Sequence, residues 1–220
     1  MESLNLTIFI CLAIPLSMTL LMFKGHSRML CAFLLSGMFM CVFSGEINGL
    51  VLNVSGYDTQ FLAVNIAPLV EEITKALPII FIAFLVKPSR QKIAEFALMV
   101  GVGFATLENI SLLVNSGTIS LGYAFLRAIG AGMMHGICTL VVGLAMFSVI
   151  EEKMVFFSGT ISALSIAMIY HSIYNMLITS KYMVLGALLP IVTFTLIMIV
   201  SVTHFRKVSV QKNKNISKNS

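Results

Sequence analysis

The chain has 220 residues, 58% of them hydrophobic and only 10% charged, with a formal net charge of +5. A mean hydropathy of +0.99 excludes a soluble globule or a separate soluble domain, and predicts a polytopic bundle of membrane helices. Five basic residues sit in the last fifteen positions, which fits a tail lying against anionic membrane lipids and argues against a nucleic-acid partner.

The expected fold is all-α, a transmembrane helical bundle of about seven spans. Span one covers about 4–23; its basic flank, Lys24 and Arg28, follows the apolar run, as in a retained helix and not a cleaved leader. Span two covers about 29–52, with Glu46 expected at the interface. Span three, about 61–86, carries Pro68 and Pro78. A polar loop from Lys87 to Lys92 leads to span four, about 93–114, with Gly101 and Gly103. The stretch 119–150 is too long for one perpendicular span. It is expected to begin as an interfacial helix holding Arg127 as an anchor or cap, enter the bilayer near Gly130–Gly132, and close at Glu151 and Glu152. Span six covers about 155–178 and span seven about 183–204. Residues 1–205 read as one transmembrane domain with a functional core at about 61–178. Residues 206–220 read as a basic, disordered cytoplasmic tail.

Eleven Lys and Arg fall in the loops and tail on one side of this arrangement, against Lys181 on the other. The positive-inside rule therefore puts the N-terminus outside and the C-terminus in the cytoplasm. Cys11, Cys31, Cys41 and Cys138 lie in apolar segments without CxxC spacing and read as buried hydrophobes. The fifteen methionines are apolar filler, and Tyr170 and Tyr174 read as packing residues.

Span three holds Glu71, Glu72 and Lys75. Ionisable groups at bilayer depth cost roughly 2.5–3.5 kcal/mol each on insertion scales, so they face a polar interior and act there. Four residues apart, Glu71 and Lys75 share a helix face and are expected to pair, with Glu72 about 100° away. At 1.5 Å per residue, Glu71 lies about 15 Å and Glu108 and His171 about 10 Å below the outer surface. His135 comes to a comparable depth. Asn175 stands one turn after His171. These groups are expected to converge on one water-filled cavity open to the outside.

Peptide hydrolysis needs an activated water, an oxyanion partner and a proton donor for the leaving amine. Glu71 or Glu72 can be the base, with Lys75 and the other carboxylate fixing its charge, while His171 and Asn175 offer N–H donors. Alternatively, Glu71, Glu108, His135 and His171 supply the donors that zinc accepts, although H-E-x-x-H is missing. A proton- or ion-coupled transporter would use the same groups as a relay but should show inverted repeats or broken helices. A non-catalytic membrane scaffold is the third reading.

Glu71-Glu72-Ile73-Thr74-Lys75 resembles the E-E-x-x-K motif of the PrsW family of intramembrane proteases. Phe104 to Asn109 resembles its F-x-x-x-E-N element, His135 its third element, and His171 to Asn175 its H-x-x-x-[DN]. The resemblance spans about residues 68–175 and extends to the CAAX-type endopeptidases and bacteriocin-processing membrane proteases. It implies a multi-pass cell-membrane peptidase cleaving a membrane-tethered protein near the extracytoplasmic face, the family being associated with an anti-sigma factor. It also implies that Glu71, Glu72 and His135 activate water, and that His171 with Asn175 stabilises the oxyanion. No cofactor is required on this reading; zinc, on Glu71, Glu72, His135 and His171, is the alternative.

Overall fold

The computed structural model describes residues 2–117, 120–149 and 153–218. Ile119, Glu151 and Glu152, assigned above to the ends of the fifth span, lie outside the described residues, as do the last two of the tail. Among the described residues there is no strand. The helices are α1 (Glu2–Met22), α2 (Gly25–Ser55), the single turn α3 (Thr59–Phe61), α4 (Ala67–Val86), α5 (Arg90–Asn115), α6 (Leu121–Val149), α7 (Lys153–Ile178) and α8 (Met183–Lys218). Five are long and apolar enough to cross a membrane: α2, α5, α6 to Ser148, α7 from Val155, and α8 to Val200. The apolar part of α1, Leu6–Met22, is shorter. The 20 residues of α4 include three charged groups, which interrupt its apolar character.

Three elements differ from expectation. The fifth span is one unbroken helix, since no proline interrupts it. Helix α8 continues to Lys218, where composition predicts a disordered tail from Arg206; no Gly or Pro follows Pro190 to stop it. The third span is divided. Asp58 Oδ1 caps α3 by accepting from the Phe61 amide at 2.6 Å, and a π-helical turn at Leu62–Ile66 precedes α4. The cysteines are free, as expected, but Cys11 is exposed and only Cys138 is buried.

Apolar side chains seal the centre of the bundle, among them Ile79, Val100, Met134 and Met146, all at 0% exposure. The outward faces remain apolar, as a lipid-facing surface requires. Helix α5 is the hub, and its approach to α2 and α6 depends on missing side chains. A Cβ on Gly103 would collide with the carbonyl of Leu34 on α2, and one on Gly37 with that of Val100. A Cβ on Gly101 would come within 2.5 Å of the His135 carbonyl on α6. Small residues at such crossings let helices meet backbone to backbone, the main source of packing between helices in lipid. Gly103→Val is therefore expected to destabilise the bundle by about 1–3 kcal/mol, read as a lower thermal midpoint in detergent.

Antiparallel connection by short loops puts the starts of α2 and α5 at one end of the bundle, where His26 Nε2 meets Glu95 Oε2 at 2.6 Å. Lys24, Arg28, Lys87, Arg90 and Lys92 gather at this end. The start of α4, the end of α5, the start of α6 and the end of α7 meet at the other.

Candidate active site

Helix α4 supplies Glu71, Glu72 and Lys75; α5, Phe104 and Glu108; α6, Arg127 and His135; α7, His171 and Asn175. The sequence-derived convergence of Glu71, Glu108, His135 and His171 is present. The pairing on α4 is the reverse of that expected. Lys75 Nζ donates to Glu72 Oε1 at 2.6 Å, with both side chains 1% exposed. The i,i+3 approach competes with i,i+4 on any helix, and here the neighbours decide. Lys75 points where His135 Nδ1 (2.9 Å) and the Phe104 ring face (4.9 Å to its centroid) await it. Glu71 is left outside the pair.

The hydrogen bonds form one chain that fixes both imidazoles. An ammonium only donates, so His135 Nδ1 accepts from Lys75, and Nε2 carries the proton that goes to Glu108 Oε2 at 3.0 Å. On α7, His171 Nδ1 donates to Glu72 Oε1 at 2.8 Å, so His171 Nε2 is the acceptor side of its ring. The two rings meet edge to face, with centroids 4.8 Å apart. Arg127 Nη2 approaches Glu108 Oε2 at 3.3 Å, so Arg127 joins the site and is not a headgroup anchor. Sequence reading missed it because an interfacial start was expected for α6. The signal was there: in one continuous helix, residues 127 and 135 are about two turns apart on one face.

Two cations, Lys75 and Arg127, now balance two carboxylates, Glu72 and Glu108. Glu71 is the third carboxyl of the cluster, and no Lys or Arg pairs with it among the described residues. Its Oε2 is buried without a hydrogen-bond partner and lies 3.7 Å from His171 Nε2, which has none either. Glu72 Oε2 is also unpartnered, but Glu72 lines neither cavity, whereas Glu71 lines both. One cavity, of about 190 Å³, lies between α2 and α5 against Glu71, Glu108, Ser44 and Asn48. The other, of about 430 Å³, lies against Glu71, Glu108, Arg127 and Asn175. Its rim includes Asn115, Ser116, Ile178 and Thr179, at the end of the bundle away from the basic loops.

Asn175 has a local task. In the π-helical turn the Ala67 amide reaches back to Leu62 O. The Ala63 carbonyl would take the next amide in that register, but residue 68 is proline and has none. Asn175 Nδ2 donates to Ala63 O at 2.9 Å instead, tying α7 to the turn that begins α4. Asn175→Asp removes that donor. It is expected to destabilise the protein by about 1–3 kcal/mol and to slow any reaction at Glu71 by about tenfold through lost positioning, measured by thermal unfolding and turnover together.

Glu71, His135 and His171 each offer an atom to a common point, all within 4.8 Å of one another. The donor types suit a divalent ion such as zinc. Glu71 Oε2 and His171 Nε2 are uncommitted and fit as they stand, while both His135 nitrogens are engaged by Lys75 and Glu108. Glu72, the fourth expected ligand, is outside this group and is held by Lys75 and His171.

Fold and site together define a multi-pass helical membrane protein with a carboxylate–imidazole cluster buried beside a cavity at one end. The chain belongs to the PrsW family, matching over residues 25–203 the family described as PrsW family intramembrane metalloprotease. It is accordingly an intramembrane peptidase. No curated protein and no solved structure matches the chain.

Proposed function

We propose that Glu71 is the general base of an endopeptidase that cleaves a membrane-tethered protein near the extracytoplasmic face. The observation that carries this reading is the unpaired Glu71 Oε2 facing the unpaired His171 Nε2 across 3.7 Å. A water lying beside the pair, about 2.8 Å from each atom, can donate one hydrogen to each. Glu71 then takes a proton from the water as its oxygen bonds to the substrate's carbonyl carbon and the carbonyl π pair moves to oxygen. When the C–N bond breaks, the same proton passes from Glu71 to the leaving amine. Glu72 and Lys75 hold His171, Glu108 and Lys75 hold His135, and Asn175 holds the start of α4.

The Glu71/His135/His171 cluster favours a second reading, in which these three residues hold zinc. The ion would supply a Lewis acid for the water; Lys75 and Glu72 would still hold His171, while a bond from His135 to the ion would replace its contact with either Lys75 or Glu108.

On this proposal α1 and α4 complete seven crossings, with the N-terminus outside and the C-terminus cytoplasmic. The basic loops support this orientation, and the cavity then opens outside. A single-span anti-sigma factor is the substrate class that the family resemblance favours. The test is cleavage of a single-span reporter by purified, reconstituted protein, with and without a zinc chelator. Chelator-insensitive cleavage that Glu71→Gln abolishes supports the glutamate base. Chelator inhibition reversed by zinc would support the metal reading, and cleavage retained in Glu71→Gln would defeat both.

A further inference from the structure

We infer that Arg127 is the oxyanion-stabilising residue of this site, a role that rests on the peptidase reading above. During attack, Glu71 gains a proton and loses its charge while a full negative charge appears on the substrate's carbonyl oxygen. A group that stabilises the transition state must therefore present an unspent N–H, preferably cationic, to the cavity that Glu71 faces. The other N–H donors beside this cavity are neutral or already engaged, although the Asn175 amide keeps a second hydrogen. Asn175 Nδ2 is on Ala63 O, His135 Nε2 on Glu108, and His171 Nδ1 on Glu72. Lys75 is 0% exposed and divided between Glu72 and His135.

Arg127 differs on each count. It lines the larger cavity together with Glu71 and, among the described residues, is the one cationic side chain there. Its side chain is 11% exposed, and it spends Nη2 on Glu108. Its Nε–H is buried and has no partner, an arrangement that costs energy until an acceptor arrives. Nε–H and Nη2 lie side by side on the planar guanidinium, so an acceptor at Nε–H takes a fixed place beside Glu108, which a lysine cannot reproduce. Glu108 thus acts as the positioning residue for both Arg127 and His135, since its Oε2 forms an ion pair with the guanidinium and accepts from His135 Nε2.

The test measures cleavage of the single-span reporter by full-length, reconstituted Arg127→Gln and Arg127→Lys, with wild type and Glu71→Gln in parallel. A phosphinic peptide of the reporter's cleavage sequence, tetrahedral and anionic, is titrated against each, as is the uncleaved amide peptide. Loss of an oxyanion donor typically costs about 10²–10³ in kcat. Arg127→Gln is expected to lose at least about a hundredfold in kcat with KM changed less than threefold. Arg127→Lys keeps the charge on Glu108, so its thermal midpoint should stay at the wild-type value while kcat still falls about tenfold or more. Phosphinate affinity should fall with kcat, and amide-peptide affinity should not. Glu71-dependent cleavage with Arg127→Lys at wild-type kcat, or equal weakening of phosphinate and amide, would overturn the role of Arg127 alone. Glu71-independent cleavage would instead remove the reading on which it rests.

Discussion

Glu71→Gln is expected to abolish cleavage, by at least about a thousandfold, while leaving the folded protein as stable as wild type or more so. The asymmetry follows from the charges around it. The remaining pairs, Glu72 with Lys75 and Glu108 with Arg127 and His135, are complete without Glu71. Its carboxyl is the buried acid of the cluster that no Lys or Arg holds, and replacing it by an amide removes a group that is costly to ionise there. An amide of the same shape keeps the packing against the cavities but cannot accept the proton from water. The measurement is turnover of the reporter and thermal unfolding on one detergent preparation. Glu72→Gln should behave differently, losing stability as well as activity, because it leaves Lys75 without its anion.

Lys75→Met has the largest expected effect on stability, a loss of about 3–5 kcal/mol. Lys75 is fully buried and holds Glu72 at 2.6 Å and His135 at 2.9 Å. Without the ammonium, Glu72 keeps a charge in a low-dielectric interior with only His171 against it, and His135 Nδ1 loses its donor. Breaking a buried pair from one side is the costly event, whereas replacing both partners by apolar groups is often nearly neutral. The double variant Lys75→Met/Glu72→Leu should therefore recover most of the lost thermal midpoint while remaining inactive. Failure of the double variant to recover any stability would mean that the contacts of Lys75 with His135 and Phe104 outweigh its pairing with Glu72.

Depth along the spans was readable because rise per residue is fixed: Glu71, Glu108, His135 and His171 arrive at one level from four helices, and they do meet. Which carboxylate of the pair takes Lys75 was not readable, since positions three and four apart are both neighbours on a helix. The choice between Glu71 and Glu72 is made by His135 and Phe104, which come from other helices. Arg127 was misplaced because the length of its segment suggested a break that the packing of α6 does not require. The π-helical turn escaped notice because its cause is a missing amide at Pro68 and a rescuing amide at Asn175, 112 positions from Ala63 in sequence. Glycines 101 and 103 were visible as a small-residue run, but the backbones they admit, Leu34 and His135, belong to helices whose pairing the chain order does not specify.

On the proposed mechanism Glu71 is the group that meets water. The most direct measurement is the initial rate of reporter cleavage by reconstituted Glu71→Gln and Glu72→Gln beside wild type, each checked for its thermal midpoint. The expected result is a wild-type rate that a zinc chelator leaves unchanged, and a stable but inactive Glu71→Gln. It also includes a Glu72→Gln that has lost both activity and stability. A stable Glu71→Gln that cleaves at the wild-type rate would contradict it.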